Sequence, residues 1–314
     1  MKKVLLLAAI FIVATVPAWS AYTYNWTTGF EANQGYTPGP LAPTPVHTPG
    51  QQGWQLADNP SYTDEVPVDV VAGAGIGGSQ AVVERGGTGS LHNAAIKNMQ
   101  YMNSGGLTYR QGYIKCWVYD PGFAVNCTEA RVGIYGAVGE NNIGKMATAQ
   151  IQDASTRDPN YWYAQWSYSV GKMDGATAVA GGAGFTFTQG PAAPRVWDAW
   201  SYVLITWTFN YTVPNDPLSG GTGVIQWRIN QQTTSPNLTL NFDSTTARWA
   251  NFHEAAGIFL GTGMTTPIAN FPVNGKTAAF DNLEFHANAI PEPGSLLALG
   301  TGLIGLAGLI RRRK

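Results

Sequence analysis

Charge is the first thing that this sequence has little of. Lys, Arg, Asp and Glu together make up 12% of its 314 residues, and the formal net charge is −1. An average soluble domain contains about 25% charged residues. Proteins that bind nucleic acid need a basic surface, so this composition argues against nucleic acid as a partner. Surface polarity must come from Asn, Gln, Ser, Thr and Tyr, a composition common in secreted β-proteins that handle neutral sugars.

Helical periodicity is also missing between residues 21 and 289. The best helical candidate, residues 91–102, is interrupted by Asn. Alternating runs bounded by Gly, Pro, Asn and Asp predict strands near residues 22–31, 80–84, 107–119, 130–137, 146–152, 161–169, 184–188, 200–210, 223–230, 237–242, 256–261 and 277–286. Many strands without helices predict an all-β fold, a two-sheet antiparallel jelly-roll sandwich. The proline-rich segment 37–50 is predicted to be an extended surface loop.

Paired catalytic side chains are not found in the sequence either. A Glu-x-Asp-x-x-Glu strand would place the closely spaced carboxylates of a retaining glycosidase on one face, and no such pattern occurs. The four His residues are scattered and suggest no triad: His47, His92, His253 and His286. We therefore expect a non-catalytic protein.

Cysteine is scarce, with two residues in the chain. Cys116 and Cys127 flank the turn Asp120-Pro121-Gly122. In an oxidising compartment we expect a disulfide between them, closing a short loop and stabilising the fold by roughly 2–3 kcal/mol.

Long apolar runs occur only at the two ends of the chain. Met1-Lys2-Lys3, the apolar run 4–16 and Ala18-Trp19-Ser20 predict a signal peptide over residues 1–20, cleaved before Ala21. Near the other end, residues 295–310 would form a helix about 24 Å long. The basic residues 311–314 that follow should stay in the cytoplasm. We therefore predict an exported precursor with one transmembrane helix over residues 295–310.

A short polar signal, Pro291-Glu292-Pro293, precedes this helix. Pro-Glu-Pro, an apolar helix and a basic end in this order resemble the PEP-CTERM sorting tail, here residues 290–314. The resemblance implies an exosortase-type membrane protease as partner and a transient anchor in the inner membrane. It also implies a final place at the cell surface or outside the cell, in a host that makes exopolysaccharide for its biofilm or matrix.

A second resemblance spans residues 21–289, which we expect to form one domain. Its motifs are Gly29-Phe30-Glu31, Gly35-Tyr36-Thr37, Gly50-Gln51-Gln52-Gly53-Trp54, Gly77-Gly78-Ser79-Gln80-Ala81-Val82-Val83 and Phe280-Asp281-Asn282-Leu283-Glu284-Phe285. Together they resemble concanavalin A-like lectin/glucanase sandwiches of the LamG-like kind. The resemblance implies that the last strand lies beside the first. It also implies a structural Ca²⁺ held by Glu31 and Asp281, with Asn282, backbone carbonyls and water adding oxygen ligands.

Polysaccharide lyases on this fold use a Gln-x-His motif, and Gln150-Ile151-Gln152 resembles it. Gln152 stands at the His position, and an amide cannot take up a proton. This difference favours a non-catalytic protein as the first expectation. A lyase or glycosidase on the same fold is the alternative function.

The predicted strand 161–169 is the most aromatic segment. Trp162, Trp166 and Tyr168 share one face, which we expect to pack in the core. The outward set, together with neighbours on the preceding strand, is then Tyr161, Tyr163, Gln165, Gln150 and Gln152. Rings beside amides suit a neutral glycan, by stacking and hydrogen bonds. The same residues also suit cross-strand pairs that only stabilise the sheet, as in a purely structural matrix protein.

Overall fold

A computed structural model describes residues 22–43, 48–56, 68–84, 92–99, 109–120, 129–137, 142–151, 160–168, 170–172, 185–212, 220–241, 254–263 and 278–289. Within these ranges the chain forms seventeen strands and three short 3-10 helices. The helices are η1 (Ala32–Gln34), η2 (Gln51–Gly53) and η3 (Ile76–Gly78). The strands are β1 (Tyr22–Thr28), β2 (Gly39–Ala42), β3 (Gln55–Leu56), β4 (Val68–Val71), β5 (Ala81–Glu84), β6 (His92–Asn98), β7 (Tyr109–Asp120), β8 (Glu129–Ala137), β9 (Asn142–Ile151), β10 (Tyr161–Tyr168), β11 (Val170–Lys172), β12 (Phe185–Pro194), β13 (Ala199–Tyr211), β14 (Gly221–Ile229), β15 (Gln232–Asn241), β16 (Glu254–Gly263) and β17 (Ala279–Ala289).

The strands form two antiparallel sheets. Sheet A has nine strands in the order β15-β14-β13-β7-β17-β5-β4-β2, with β1 also paired to β17. Sheet B has eight, in the order β12-β10-β9-β8-β16-β6-β3, with β11 paired to β9. The predicted all-β sandwich is confirmed.

The last strand lies beside the first, as the resemblance implied. β1 pairs with β17 from Tyr22 opposite Ala289 to Thr28 opposite Leu283. The other end of β17, Ala279–Phe280, pairs with β5, and its opposite edge pairs with β7. The closing strand is therefore a central strand of sheet A.

The core lies between the sheets and follows the period-two pattern of the strands. On β13 the inward residues Val203, Ile205, Trp207 and Phe209 are each at most 1% exposed. The largest fully buried side chains include four indoles: Trp54, Trp162, Trp207 and Trp227. Alternation places such side chains on one face of a strand, and burying that face stabilises the sandwich.

The GFE, GYT and GQQGW motifs fold onto one another. The rings of Phe30, Tyr36 and Trp54 are buried, with Phe30 5.3 Å from Tyr36 and 6.0 Å from Trp54 between ring centroids. Trp54 Nε1 donates a hydrogen bond to Tyr36 Oη at 3.2 Å. These motifs therefore pack together near the end of β1.

Two segments differ from the sequence prediction. Residues 37–50 were expected to be a surface loop, but they contain β2, in which Leu41 and Ala42 are fully buried. β2 is an edge strand of sheet A, and an edge tolerates its proline, Pro40. The weak helical candidate 91–102 instead contains β6, because pairing with β16 and β3 overrides its mixed pattern.

The predicted signal peptide (1–20) and transmembrane helix (295–310) lie outside the described residues. Among the residues that are described, no helix has the length and apolar character needed to cross a membrane.

Candidate functional site

Strand β7 carries an outward row of aromatic and charged side chains. Its inward residues Ile114, Cys116 and Val118 are buried. The alternating outward residues are half-buried, and they are Tyr113, Lys115, Trp117 and Tyr119. The strand thus presents rings to solvent at every second position except one, where a lysine stands.

Strand β13 extends this row sideways. Tyr202 pairs with Trp117 and Trp200 with Tyr119 across the ladder. The ring centroids are 5.5 Å apart in both pairs, at interplanar angles of 62° and 58°. We call Tyr113, Trp117, Tyr119, Trp200 and Tyr202 the aromatic strip. At about 3.3 Å per residue, the strip runs roughly 20 Å along β7, enough for an extended polymer segment.

A shallow depression of about 280 Å³ opens beside the strip. Its walls come from β1, β7, β13 and β17, and they combine rings, hydroxyls, amides and one ion pair. The lining residues are Thr27, Thr28, Gly29, Gln34, Lys115, Trp117, Tyr202, Asn282, Leu283 and Glu284. Rings with nearby hydrogen-bonding groups are suited to binding a sugar chain.

Glu284 is the electrostatic centre of this surface. Its carboxylate pairs with Lys115, and Tyr113 donates a hydrogen bond to it. That hydrogen bond, followed by burial and the carboxylate charge, raises the pKa of Tyr113 to about 12. Burial also raises the pKa of Tyr202. Both phenols therefore stay protonated at neutral pH and can donate hydrogen bonds.

His286 lies next to Tyr113 on the same face. The two rings are stacked, with centroids 4.9 Å apart and an interplanar angle of 8°. His286 Nδ1 is hydrogen-bonded to Asn25 Oδ1 on β1. These contacts fix the position of the Tyr113 ring at one end of the strip, with one of its faces against His286.

The glycan-binding face predicted from the sequence lies on sheet B. The backbone register places Tyr163 opposite Gln150 and Gln165 opposite Thr148. Trp162 is fully buried as expected, but Tyr163 is only 5% exposed, so its ring offers no open face. Tyr161 is half-buried. The side chains of Gln150 and Gln165, and all of Gln152, lie outside the described residues.

Sequence reasoning missed the aromatic strip although its signal was present. In residues 113–119, aromatic or charged residues alternate with Ile114, Cys116 and Val118. This is the pattern of a half-buried strand, here with rings on its outer face. The pattern could not identify the partner strand, because the pairing of β7 with Trp200 and Tyr202 on β13 depends on tertiary structure.

Glu31 and Asp281, the predicted calcium ligands, contact the same loop, residues 75–80. Glu31 Oε1 accepts a hydrogen bond from Gln80 N at 3.2 Å. Asp281 is fully buried, and its Oδ2 accepts from Ile76 N at 2.9 Å and from Ser79 Oγ at 3.1 Å. The two carboxylates therefore connect the turn after β1 and the last strand, β17, to one loop.

Side-chain oxygens of Asp281 and Asn282 lie close to Gly29, two residues before Glu31. A Cβ built on Gly29 would come within 3.3 Å of Asn282 Oδ1 and 3.7 Å of Asp281 Oδ1. Oxygens are the ligands that Ca²⁺ prefers, but the 3.3 Å approach of Asn282 Oδ1 leaves little free space beside Gly29. Within the described ranges no group of three or more His, Cys, Asp or Glu could hold a metal. Carbonyls and water would have to complete the coordination, and the calcium stays a prediction.

Cys116 has a free thiol and is fully buried. Its Sγ contacts the carbonyl oxygen of Asp281 at 3.6 Å, and burial raises the pKa of the thiol. The other member of the predicted disulfide, Cys127, lies outside the described residues, so the disulfide stays a prediction.

The tail matches a known family. Residues 289–314 match the family model of the PEP-CTERM protein-sorting motif. The motif implies export, processing by the membrane protein exosortase, and a destination at the cell surface. No curated protein matches the sequence.

Several solved structures are similar in shape over most of the chain. The CBM2 module of an evolved Dit from Lactobacillus casei BL23 phage J-1 is 11% identical, with 86% of this chain and 98% of that chain covered and a TM-score of 0.44. β-Agarase A from Zobellia galactanivorans is 10% identical, with 87% and 91% covered and a TM-score of 0.42. Endo-β-1,4-glucuronan lyase from Trichoderma reesei is 10% identical, with 71% and 84% covered and a TM-score of 0.38. Similarities this low transfer no function to this chain.

Proposed function

We propose that this chain is a non-catalytic protein of the cell surface or extracellular matrix that binds polysaccharide through the aromatic strip. The observation that supports this function is the row of half-buried rings on β7 and β13 beside a depression with polar walls. Sugar rings stack on flat aromatic faces, and the surrounding hydroxyls and amides supply hydrogen bonds. The sorting motif supports the location. The ligand in this proposal is the host's exopolysaccharide.

The chemistry of the strip favours binding over cleavage. A general base acts best when its pKa is near the working pH. The pKa of Tyr113 is raised to about 12 and its hydroxyl is donated to Glu284. The carboxylate of Glu284 in turn forms an ion pair with Lys115. These groups hold one another, which is typical of a binding surface whose side chains need fixed positions.

The test is retention of the purified full chain, in mild detergent, by native gels that contain neutral or anionic polysaccharides. We expect retention by at least one polymer, with no new reducing ends and no absorbance gain at 235 nm. Trp117→Ala should weaken retention about 30-fold, since removal of a central aromatic anchor costs roughly 2 kcal/mol.

New reducing ends or unsaturated products would instead support the lyase or glycosidase alternative. No retention across the panel would leave the purely structural matrix protein as the better description.

A structural Ca²⁺ at Glu31 and Asp281 is part of this proposal. A ligand that binds only the folded state at about 100 times its Kd stabilises that state by roughly 2.7 kcal/mol. We therefore expect added Ca²⁺ to raise the Tm of the EDTA-treated full chain, and Glu31→Gln to reduce that rise. Equal Tm values in Ca²⁺ and EDTA would contradict the site, in which case hydrogen bonds alone join the two strands to loop 75–80.

A further inference from the structure

Lys115 and Glu284 lie side by side at the aromatic strip. They are partners in the ladder between β7 and β17. Their side chains form an ion pair in which Lys115 is 34% and Glu284 22% exposed. Both line the depression next to Trp117. A sugar bound there would meet a cation and an anion together.

The negative charge of Glu284 is kept in place by its neighbours. Burial alone would raise the pKa of this carboxyl, but hydrogen bonds from Lys115 and Tyr113 outweigh burial and lower it. The ring of Tyr113 is held by its stacking on His286, which contacts Asn25. Glu284 therefore remains a positioned carboxylate at neutral pH.

Arg228 and Asp198 are two further charged residues that the structure describes near this face. Arg228 lies on β14, opposite Leu204, which in turn pairs with Lys115. That places the arginine two strands, or about 10 Å, away from the lysine. At the far end of the strip, Asp198 accepts a hydrogen bond from Tyr119. Of Lys115 and Arg228, Lys115 thus lies closer to the rings, and its charge is matched by Glu284.

We infer that Glu284 is a specificity-determining residue that neutralises Lys115 and directs the aromatic strip toward uncharged polysaccharides and away from polyuronates. The inference rests on the proposed function. A uronic acid placed over Trp117 brings its carboxylate next to that of Glu284, and like charges in adjacent positions suppress the wrong partner. Without the Glu284 charge, Lys115 becomes an exposed cation beside the rings and attracts the same uronic acid.

The experiment compares retention of the full chain by hydroxyethyl cellulose, galactomannan and polygalacturonate. For the wild type we expect retention by a neutral polymer at least tenfold stronger than by polygalacturonate. Glu284→Gln should raise the ratio of polygalacturonate to neutral retention at least tenfold. Because the gain is electrostatic, 0.5 M NaCl should remove most of it.

Two further variants isolate the ion pair. Asp198→Asn removes the same charge but leaves Lys115 paired with Glu284, so the ratio should change less than threefold. Adding Lys115→Gln to Glu284→Gln should cancel the gain. If Glu284→Gln fails to fold, as judged by circular dichroism and Tm, the test uses Lys115→Gln alone. In that variant the ratio of polygalacturonate to neutral retention should stay at or below the wild-type value.

Each contrary result has its own meaning. Equal or stronger retention of the wild type by polygalacturonate, an unchanged ratio in folded Glu284→Gln, or a raised ratio in Lys115→Gln overturns the inference and leaves polysaccharide binding standing. Absence of wild-type retention by every polymer overturns the proposed function, and the inference with it.

Discussion

Strands β7 and β10 are both rich in aromatic residues, yet their described rings are placed very differently. On β7, Tyr113, Trp117 and Tyr119 alternate with buried aliphatic residues and stay partly open to solvent. On β10, three consecutive residues, 162–164, are buried, which breaks the alternation.

The break coincides with register shifts between β10 and β12 on both sides of Tyr163. Such irregularities change which groups face solvent. Aromatic content alone therefore does not identify a binding face. A face is available only where the alternation continues and nothing covers its outer side.

The largest expected effect comes from breaking the buried ion pair between Arg195 and Asp120. Arg195, which follows β12, forms two hydrogen bonds of 2.7 Å with Asp120 at the end of β7, and 2% of its side chain is exposed. Arg195→Met leaves a buried carboxylate without its partner, which costs roughly 3–5 kcal/mol. We expect urea unfolding to show this loss.

The matched control is Arg228→Met on the exposed side of β14, which should stay within about 0.5 kcal/mol of the wild type. Adding Asp120→Asn to Arg195→Met should recover part of the loss. Equal stabilities of the Arg195 and Arg228 variants would contradict the importance of the buried pair.

The second prediction concerns a buried cation between the sheets. Lys97 on β6 is 3% exposed, donates to the carbonyl of Gln52 and lies 5.0 Å from the ring centroid of Trp26 on β1. Burial lowers its pKa from 10.5 to about 8. Between pH 8 and 10.5 the unfolded chain binds a proton that the folded chain lacks, so stability rises with pH.

The rise contributed by Lys97 should be roughly 3 kcal/mol, since each pKa difference of one is worth about 1.36 kcal/mol. Urea unfolding across pH 7–11 measures it. In Lys97→Met we expect that contribution to vanish and the stability at pH 7 to exceed that of the wild type. Parallel pH profiles for the two proteins would contradict the lowered pKa.

The smallest expected effect compares the aromatic strip with strand β10. Tyr202→Ala removes a ring of the strip and should weaken polysaccharide retention about tenfold, or about 1.4 kcal/mol. Tyr161→Ala removes a half-buried tyrosine from β10 and should change retention less than twofold. Affinity gels with the polymer that retains the wild type measure both. A larger loss of retention in Tyr161→Ala than in Tyr202→Ala would instead place the binding site on sheet B.

Strand prediction succeeded where one face of a strand is simply buried. The alternation of Val203, Ile205, Trp207 and Phe209 predicts β13 because a two-residue period must put these side chains on one face. Prediction failed for β2, where prolines suggested a loop although Leu41 and Ala42 pack in the core. Short edge strands depend on their neighbours more than on their own residues.

The candidate site was predicted less well than the fold. The sequence motifs suggested that Glu31 and Asp281 share a calcium; both contact loop 75–80, and the calcium stays a prediction. They did not indicate the strip, because Trp117 and Tyr202 are 85 residues apart and meet only through the pairing of β7 with β13.

Residue order alone is enough to identify the sorting motif at residues 289–314, the all-β class and the inward face of strands such as β13. These are local properties, set by residue order and by the two-residue period of a strand. Two features became visible only in the folded sheets: which aromatic face stays open to solvent, and which carboxylate neutralises Lys115. Exposure and ion pairing depend on long-range strand neighbours, and no local pattern contains that information.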